Sequence, residues 1–231
     1  MTQIATARPG LTDLGPIAQL RAGKLVRRLP QLYVGLVLYG VSLGWMVRGD
    51  LGLAPWDVLH SGLIRHVPIT LGQAVVVMSF VVLLLWIPLR EMPGLGTISN
   101  ALVVGFSADA TLALLDRPDA LGARVALMVG GIVANGVASA LYIGAQLGRG
   151  PRDGLMTGLH RRTGVSLRLV RTGLEVAVVV IGLLLGGVAG LGTVLYALAI
   201  GPLTQLMLPW FTVAVEAPAD TQTSALGGDQ R

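Results

Sequence analysis

The chain has 231 residues, of which 53% are hydrophobic and only 13% are charged, and its mean hydropathy is +0.73. Soluble domains carry roughly 25% charged residues, so this composition excludes an ordinary water-soluble protein. The net charge of +5 does not indicate nucleic-acid binding, because the arginines lie in gaps between apolar runs and form no basic stripe with stacking aromatics. The sequence contains no cysteine, which excludes disulfides and thiolate metal sites.

The two ends of the chain are predicted to be tails. Residues 1–29 contain five basic residues and no apolar core, so they do not form a cleavable signal peptide and are expected to be a basic cytosolic tail. Residues 214–231 are rich in polar and small residues and are predicted to be disordered.

Six stretches between the tails are predicted to cross the membrane, since about 20 helical residues span roughly 30 Å of hydrocarbon. They cover residues 30–47, 70–89, 95–115, 123–147, 167–188 and 191–211. Pro30 suits the first turn of the first helix. Thr70 and Gln73 fit a capping box at the second, and Ser166 offers a hydroxyl at the start of the fifth. Four tryptophans near the span ends are predicted to be interface anchors: Trp45, Trp56, Trp86 and Trp210.

The two halves of the chain repeat each other at a constant shift of 96 positions. Residues 35–112 and 131–208 are identical at 23 of 78 positions, with seven glycines in register. Gly94-Leu95-Gly96-Thr97, for example, returns as Gly190-Leu191-Gly192-Thr193. Such duplication is typical of membrane transporters and predicts repeat 1 over residues 30–116 and repeat 2 over residues 117–213.

The arginines predict that the two repeats have opposite orientations. The loop near residues 144–168 contains five arginines, whereas its counterpart near residues 48–70 contains two, so the two loops are expected on opposite faces of the membrane. The number of spans leads to the same result. A repeat that crosses the membrane three times ends on the opposite face, so the second repeat begins there and is inverted. We therefore predict an all-α bundle of six spans, built from two inverted three-helix repeats with both termini in the cytoplasm.

A short helix follows the first span of each repeat, at residues 55–66 and 151–162, and is too short to cross the membrane. Each begins with proline, followed two residues later by an aspartate that faces the unpaired N–H groups of the first turn. A hydroxyl lies one turn after each aspartate, giving the pairs Asp57 with Ser61 and Asp153 with Thr157. The short helices either re-enter the membrane and line a cavity for an ion or polar solute, or lie in the interface.

Two segments at these helix starts carry a family resemblance. They are Leu51-Gly52-Leu53-Ala54-Pro55-Trp56-Asp57-Val58-Leu59-His60-Ser61-Gly62-Leu63 and Gly148-Arg149-Gly150-Pro151-Arg152-Asp153-Gly154-Leu155. They resemble the YczE/YitT-related bacterial integral membrane proteins, and the resemblance extends over residues 30–211. It implies a multi-span protein of the bacterial inner membrane, and it implies no particular catalytic or binding residue.

Two carboxylates fall inside predicted spans, where ionisable groups are costly and are functional candidates. Asp109 has no obvious partner nearby in the sequence and is a candidate for binding a proton or cation. Glu175 follows Arg171 by four residues, so the two either pair along one helix face or Arg171 extends to the membrane surface.

These features favour a small secondary transporter or permease for an unknown small solute or ion. The candidate substrate- or ion-binding residues are Asp57, Ser61, Asp153, Thr157, Asp109 and Glu175. The alternative is a non-catalytic membrane accessory or assembly factor. Because the sequence offers no nucleophile–base pair, metal-ligand spacing or nucleotide loop, we expect no enzymatic activity, metal or cofactor. The expected partners are the lipid bilayer and the solute, with no nucleic acid; a homo-oligomer stays open.

Overall fold

The computed structural model describes residue 11 and residues 14–215, and this part of the chain forms nine helices and no strand. In chain order they are α1 (Pro16–Arg21), α2 (Leu25–Gly49), α3 (Pro55–Leu63), α4 (Leu71–Leu89), α5 (Leu95–Leu114), α6 (Leu121–Gly144), α7 (Pro151–Thr163), α8 (Leu167–Leu184) and α9 (Leu191–Phe211). Five of them, α2, α4, α5, α6 and α9, are long and apolar enough to cross a membrane. Helix α8, the predicted fifth span, is not among the five because its 18 residues include three charged ones.

Two of the predicted helix starts are confirmed. Thr70 Oγ1 accepts a hydrogen bond from Gln73 N at 3.1 Å, and Gln73 Oε1 accepts one from Thr70 N at 3.0 Å, which completes the capping box of α4. Ser166 Oγ accepts from Leu169 N at the start of α8. Both hydroxyls satisfy backbone donors that have no partner within their own helix.

The prediction that Pro30 lies in the first turn is wrong, because α2 begins at Leu25 and Pro30 lies inside it. A proline at this position removes only the hydrogen bond to the carbonyl of Val26, near the start of the helix. Residues 25–29 therefore extend the first long helix into the predicted basic tail. The other tail residues 1–10, 12 and 13, and residues 216–231 of the predicted C-terminal tail, lie outside the described residues.

Arg28 fixes the N-terminal segment to the rest of the bundle. Its side chain is fully buried, and it donates from Nε to Ala145 O at 2.8 Å and from Nη2 to Gln146 O at 2.6 Å. It also donates from Nη1 to Gln19 O in α1 at 2.7 Å. The carbonyls that follow α6 lie at the negative end of that helix, where a buried cation is stabilised.

Helices α2 and α6 pack against each other at the centre, with α5 beside α2 and α9 beside α6. Close approach depends on glycine: a side chain at Gly35 would come within 2.9 Å of Tyr142 N on α6, and one at Gly40 within 2.5 Å of Val104 O on α5. Small residues at such crossings let backbones meet, which is how membrane helices usually associate.

The short helices pack against the opposite half of the chain, α3 on α8 and α7 on α4. Trp56 and Trp86 fill this region and are 7% and 3% exposed. Trp86 Nε1 donates to Pro151 O at 2.9 Å. The prediction that all four tryptophans are interface anchors is therefore wrong for Trp56 and Trp86, whose large apolar rings fill the space where α3, α4, α7 and α8 meet.

The repeated Gly-Leu-Gly-Thr turns also contact the opposite half. Gly96 N donates to Leu147 O at 2.7 Å, and Gly192 N donates to Leu51 O at 2.8 Å. The residue after each accepting leucine is a glycine with positive φ, +123° at Gly52 and +133° at Gly148, a conformation that side chains rarely adopt. The identical residues at these four positions thus form two equivalent contacts.

One pair of helices breaks this equivalence. Helices α4 and α5 pack closely, and a side chain at Gly105 would collide with the backbone of Gly72. The corresponding helices α8 and α9 barely touch, and a side chain at Gly201, the repeat position of Gly105, would meet no atom within 4 Å. The bundle is therefore closed between α4 and α5 and open between α8 and α9.

Candidate functional site

A central cavity of about 180 Å³ lies among helices of both halves. Its charged lining residues are Arg152, Asp153, Arg171 and Glu175, and its wall includes three tyrosines, Tyr39, Tyr142 and Tyr196. One water molecule needs about 10–15 Å³ of such cavity volume, so the cavity holds on the order of ten waters. Such a volume is large enough for a small polar solute inside an otherwise apolar bundle.

The start of α7 places Asp153 in the cavity wall. Pro151 occupies the first turn, and Asp153 follows it on the side that faces Tyr142. The Tyr142 hydroxyl donates a hydrogen bond to Asp153 Oδ2. Asp153 also lines a second cavity beside α7, so it contributes to the walls of both cavities.

The repeat-related Asp57 is enclosed instead. It is 2% exposed and does not line the central cavity. His60 Nδ1 lies 3.0 Å from Asp57 Oδ1, and Arg152 Nη2 lies 4.0 Å from the same oxygen. Burial lowers the pKa of His60, so its imidazole is neutral near pH 7 and donates to the carboxylate from Nδ1. The two aspartates therefore have different environments despite their equivalent positions.

Neither predicted hydroxyl partner hydrogen-bonds to its aspartate carboxylate in the described structure. Ser61 Oγ donates to Val58 O at 2.9 Å and accepts from Val188 N at 3.0 Å, which ties α3 to the loop before α9. Thr157 Oγ1 donates to Asp153 O, the backbone carbonyl one turn earlier, at 2.8 Å. Hydroxyls inside helices commonly bond back to such carbonyls. Of the two, Thr157 lines the second cavity beside α7.

Arg171 and Glu175 form the predicted pair along α8. Arg171 Nε donates to Glu175 Oε1 at 2.8 Å, and both side chains line the central cavity. The pairing alternative is therefore confirmed. The Arg171–Glu175 ion pair thus lies in the wall of the central cavity, next to the gap between α8 and α9.

Asp109 lies away from the central cavity. It accepts hydrogen bonds from the Thr70 hydroxyl and from Gly72 N, the latter at 2.8 Å, and so holds the start of α4 against α5. These partners lie 37 and 39 residues earlier in the chain, which is why inspection of neighbouring sequence did not find them. Gln205, at the repeat position of Asp109, does line the cavity.

Two further cavities occupy corresponding positions in the two repeats. The α7-side cavity, about 290 Å³, includes Ile143, Gln146 and Thr157 in its wall. The α3-side cavity, about 370 Å³, is lined by the residues 96 positions earlier, Val47, Asp50 and Ser61. The α7-side cavity shares Ile143 and Asp153 with the central cavity, whereas the α3-side cavity shares no lining residue with it.

Arg152 and Trp56 are two of the site residues that the sequence patterns did not single out as binding residues. The Arg152 guanidinium lies over the Trp56 ring at 5.0 Å from its centre, beside the cavity. They occupy the same position in the two repeats, between the proline and the aspartate. Identity between the two repeats does not indicate these residues, because the repeats have different residues at this position, tryptophan in one and arginine in the other.

Comparisons with known proteins identify relatives but no activity. The profile of a family of unknown function, DUF6198, matches residues 26–209. An uncharacterized protein of Haemophilus influenzae is 40% identical over 177 residues, covering 77% of this chain and 81% of the relative. The uncharacterized membrane protein YczE of Bacillus subtilis is 29% identical over 80% of this chain and 87% of its own length. No solved structure matches the chain.

The similarity to YczE confirms the resemblance predicted from the starts of the short helices. Together with five helices long and apolar enough to span a bilayer, it makes this chain an integral membrane protein.

Proposed function

The chain belongs to DUF6198, a family of unknown function, and we propose that it is a small secondary transporter or permease rather than an enzyme. The observation that supports this proposal is the central cavity, which places charged side chains from α7 and α8 inside an apolar bundle. Charged groups at such depth are costly and are retained where a solute or ion passes.

The proposed architecture has six spans in two inverted repeats, with α8 as the fifth span in chain order, in addition to α2, α4, α5, α6 and α9. Equivalent contacts between the two halves favour this architecture. Helix α3 packs on α8 of the opposite half, as α7 packs on α4. Each Gly-Leu-Gly-Thr turn also forms a backbone hydrogen bond to the opposite half. The charges on α8 are compatible with a span because Arg171 pairs with Glu175 and Arg168 lies at the helix start. The arginine-rich loop and the N terminus would face the cytoplasm of a bacterial plasma membrane.

The proposed cycle alternates access to the central cavity from the two faces of the membrane. In the present structure this cavity shares the lining residues Ile143 and Asp153 with the α7-side cavity, while the α3-side cavity shares none with it. Rocking of one repeat against the other would reverse these connections. Asp153 would bind the coupling proton or cation, because this residue lines both cavities, and Asp57 would hold Arg152 and His60 in place.

Reconstituted liposomes test the proposal. With a pH-sensitive dye inside, we expect protein-dependent flux when a panel of small carboxylates, amino acids and inorganic cations is offered outside. Asp153→Asn should abolish this flux, whereas Asp116→Asn, a change to an exposed carboxylate between α5 and α6, should retain it. Absence of flux for the whole panel, together with stoichiometric recovery of one partner protein in mild detergent, would favour an accessory factor instead.

A further inference from the structure

Arg152 and Trp56 lie where the two halves of the chain meet. They are separated by the repeat shift of 96 positions and stack on each other, with 5.0 Å between the guanidinium carbon and the ring centre. In an arrangement in which a two-fold axis relates the two halves, this axis passes between equivalent residues that contact each other. This pair is therefore central to the bundle, and a cation–π contact fixes the guanidinium beside the cavity.

The guanidinium of Arg152 has no hydrogen-bond acceptor among the described residues. Its side chain is only 19% exposed, and its nearest carboxylate oxygen, on Asp57, is 4.0 Å away, beyond hydrogen-bond distance. The neighbouring Arg171, in contrast, donates to Glu175 at 2.8 Å. A guanidinium has five N–H donors in a planar fork, so Arg152 presents a cationic group with donors free for a ligand.

A second donor beside the cavity is also unpaired. Trp56 Nε1 is buried and has no hydrogen-bond partner, although Trp56 lines the central cavity. The indole of Trp86, which belongs to the same hydrophobic cluster, donates to Pro151 O. An unsatisfied buried donor destabilises the protein, and an acceptor supplied by a ligand removes that cost.

The carboxylates around the cavity, unlike these donors, already have partners. Asp153 accepts from the Tyr142 hydroxyl and Glu175 accepts from Arg171. Asp57 accepts from His60. Beside the central cavity, the Arg152 guanidinium and Trp56 Nε1 are donors without a hydrogen-bond acceptor in the described part of the chain, which suits a ligand with acceptor oxygens and negative charge.

We propose that the central cavity binds a small organic solute through a carboxylate group, with Arg152 and Trp56 as the recognising residues. The two oxygens of a carboxylate match the guanidinium fork, and a single guanidinium without a hydrogen-bonded acceptor among the residues described suits a ligand with one carboxylate group. The cavity volume of about 180 Å³ limits the solute to a small acid. The role of this solute as a substrate rests on the proposed transport function; its binding rests on the two donors alone.

Binding to the purified full chain in detergent tests the proposal. The probes are sodium propionate and sodium lactate, with propionamide as the neutral control and propylammonium chloride as the cationic one, all at constant ionic strength. We expect the two carboxylates to raise the thermal unfolding midpoint and to change Trp56 emission, taken as the difference between wild type and Trp56→Phe. The amide and the ammonium probe should do neither.

Matched variants assign the effect to the residue. Arg152→Gln should weaken carboxylate binding by about tenfold or more, because a charged hydrogen bond contributes about 1.5–3 kcal/mol. Arg152→Lys should retain part of the affinity, and Arg168→Gln, an exposed cation at the start of α8, should retain all of it. If Arg152→Gln does not fold, a weakened carboxylate response in Trp56→Phe carries the same test.

Wild-type carboxylate affinity in Arg152→Gln, or stabilisation by propylammonium but not by propionate, would overturn the proposal. Its failure is distinguishable from failure of the transport function. Carboxylate binding without flux in liposomes keeps the site and removes the transporter. Flux of a solute that lacks a carboxylate, unchanged in Arg152→Gln, keeps the transporter and removes this assignment.

Discussion

Single residues show how two copies of one sequence have acquired different chemistry. Asp57 and Asp153 begin equivalent helices, yet Asp57 is enclosed with His60 and Asp153 borders two cavities. The residue before each aspartate differs as well, tryptophan in one copy and arginine in the other. The same Pro-x-Asp helix start thus carries a structural carboxylate in one repeat and a carboxylate that is accessible to a solute in the other.

Arg28 is the residue whose loss should destabilise the bundle most clearly. Arg28→Leu removes the donors of four carbonyls and should lower the free energy of unfolding by about 2–3 kcal/mol, since hydrogen bonds to charged groups are among the stronger ones. The measurement is the thermal midpoint by tryptophan fluorescence in detergent. Arg27→Leu changes the exposed neighbour and is the control. Equal midpoints for the two variants would contradict the structural role of Arg28.

At the scale of helices, the two equivalent helix pairs, α4 with α5 and α8 with α9, differ in how closely they pack. Helices α4 and α5 are held by the Gly72–Gly105 contact and by the bonds of Asp109 to Thr70 and Gly72. The corresponding positions in the second copy are Arg168, Gly201, Gln205 and Ser166. A long arginine replaces a glycine there, and α8 and α9 stand apart. In the proposed cycle this gap is the element that closes.

Alanine at the two equivalent glycines should have opposite effects. Gly105→Ala inserts a methyl group against the backbone of α4 and should cost about 1–3 kcal/mol. Gly201→Ala enters open space and gains helix propensity, so its stability should equal or exceed that of wild type by up to about 1 kcal/mol. Thermal midpoints of both variants in one detergent make the comparison. A loss of stability in Gly201→Ala as large as that in Gly105→Ala would show that the gap is closed.

At the scale of the whole molecule, each half contributes to the packing of the other. The short helix of each half packs on a long helix of the opposite half, and the central cavity takes residues from both. An inverted arrangement predicts that the loops after α3 and α7, which are equivalent in sequence, face opposite sides of the membrane. In the orientation that we propose, the side with the excess of arginine around α7 faces the cytoplasm.

Cysteine labelling measures this orientation directly, because the natural sequence contains no cysteine. Val67→Cys and Thr163→Cys are repeat-equivalent, and both positions are exposed. In intact cells, a membrane-impermeant maleimide should label Val67→Cys alone, and Thr163→Cys should react only after permeabilisation. Labelling of both from one side would rule out the inverted topology.

The sequence predicted the helices well because apolar length and capping residues act locally. The capping box at Thr70 and the Arg171–Glu175 pair, both confirmed, involve residues within one turn. Contacts between distant segments could not be predicted in this way. Asp109 finds its partners on another helix, and Trp56 and Trp86 lie in the core because of how α3, α4, α7 and α8 cross. The Arg152–Trp56 stack likewise depends on the meeting of the halves.

The exchange of packing partners between the halves also constrains how the chain is made. Ser61 in α3 accepts its hydrogen bond from Val188, 127 residues later. At synthesis rates of about 5–20 residues per second, α3 waits roughly 6–25 s before that partner emerges. During this time the face of α3 that later packs on α8 meets only lipid, the insertion machinery or a chaperone. A chain that stops after its first half therefore leaves the faces of α3 and α4 that pack on α8 and α7 uncovered, and quality-control proteases should remove it.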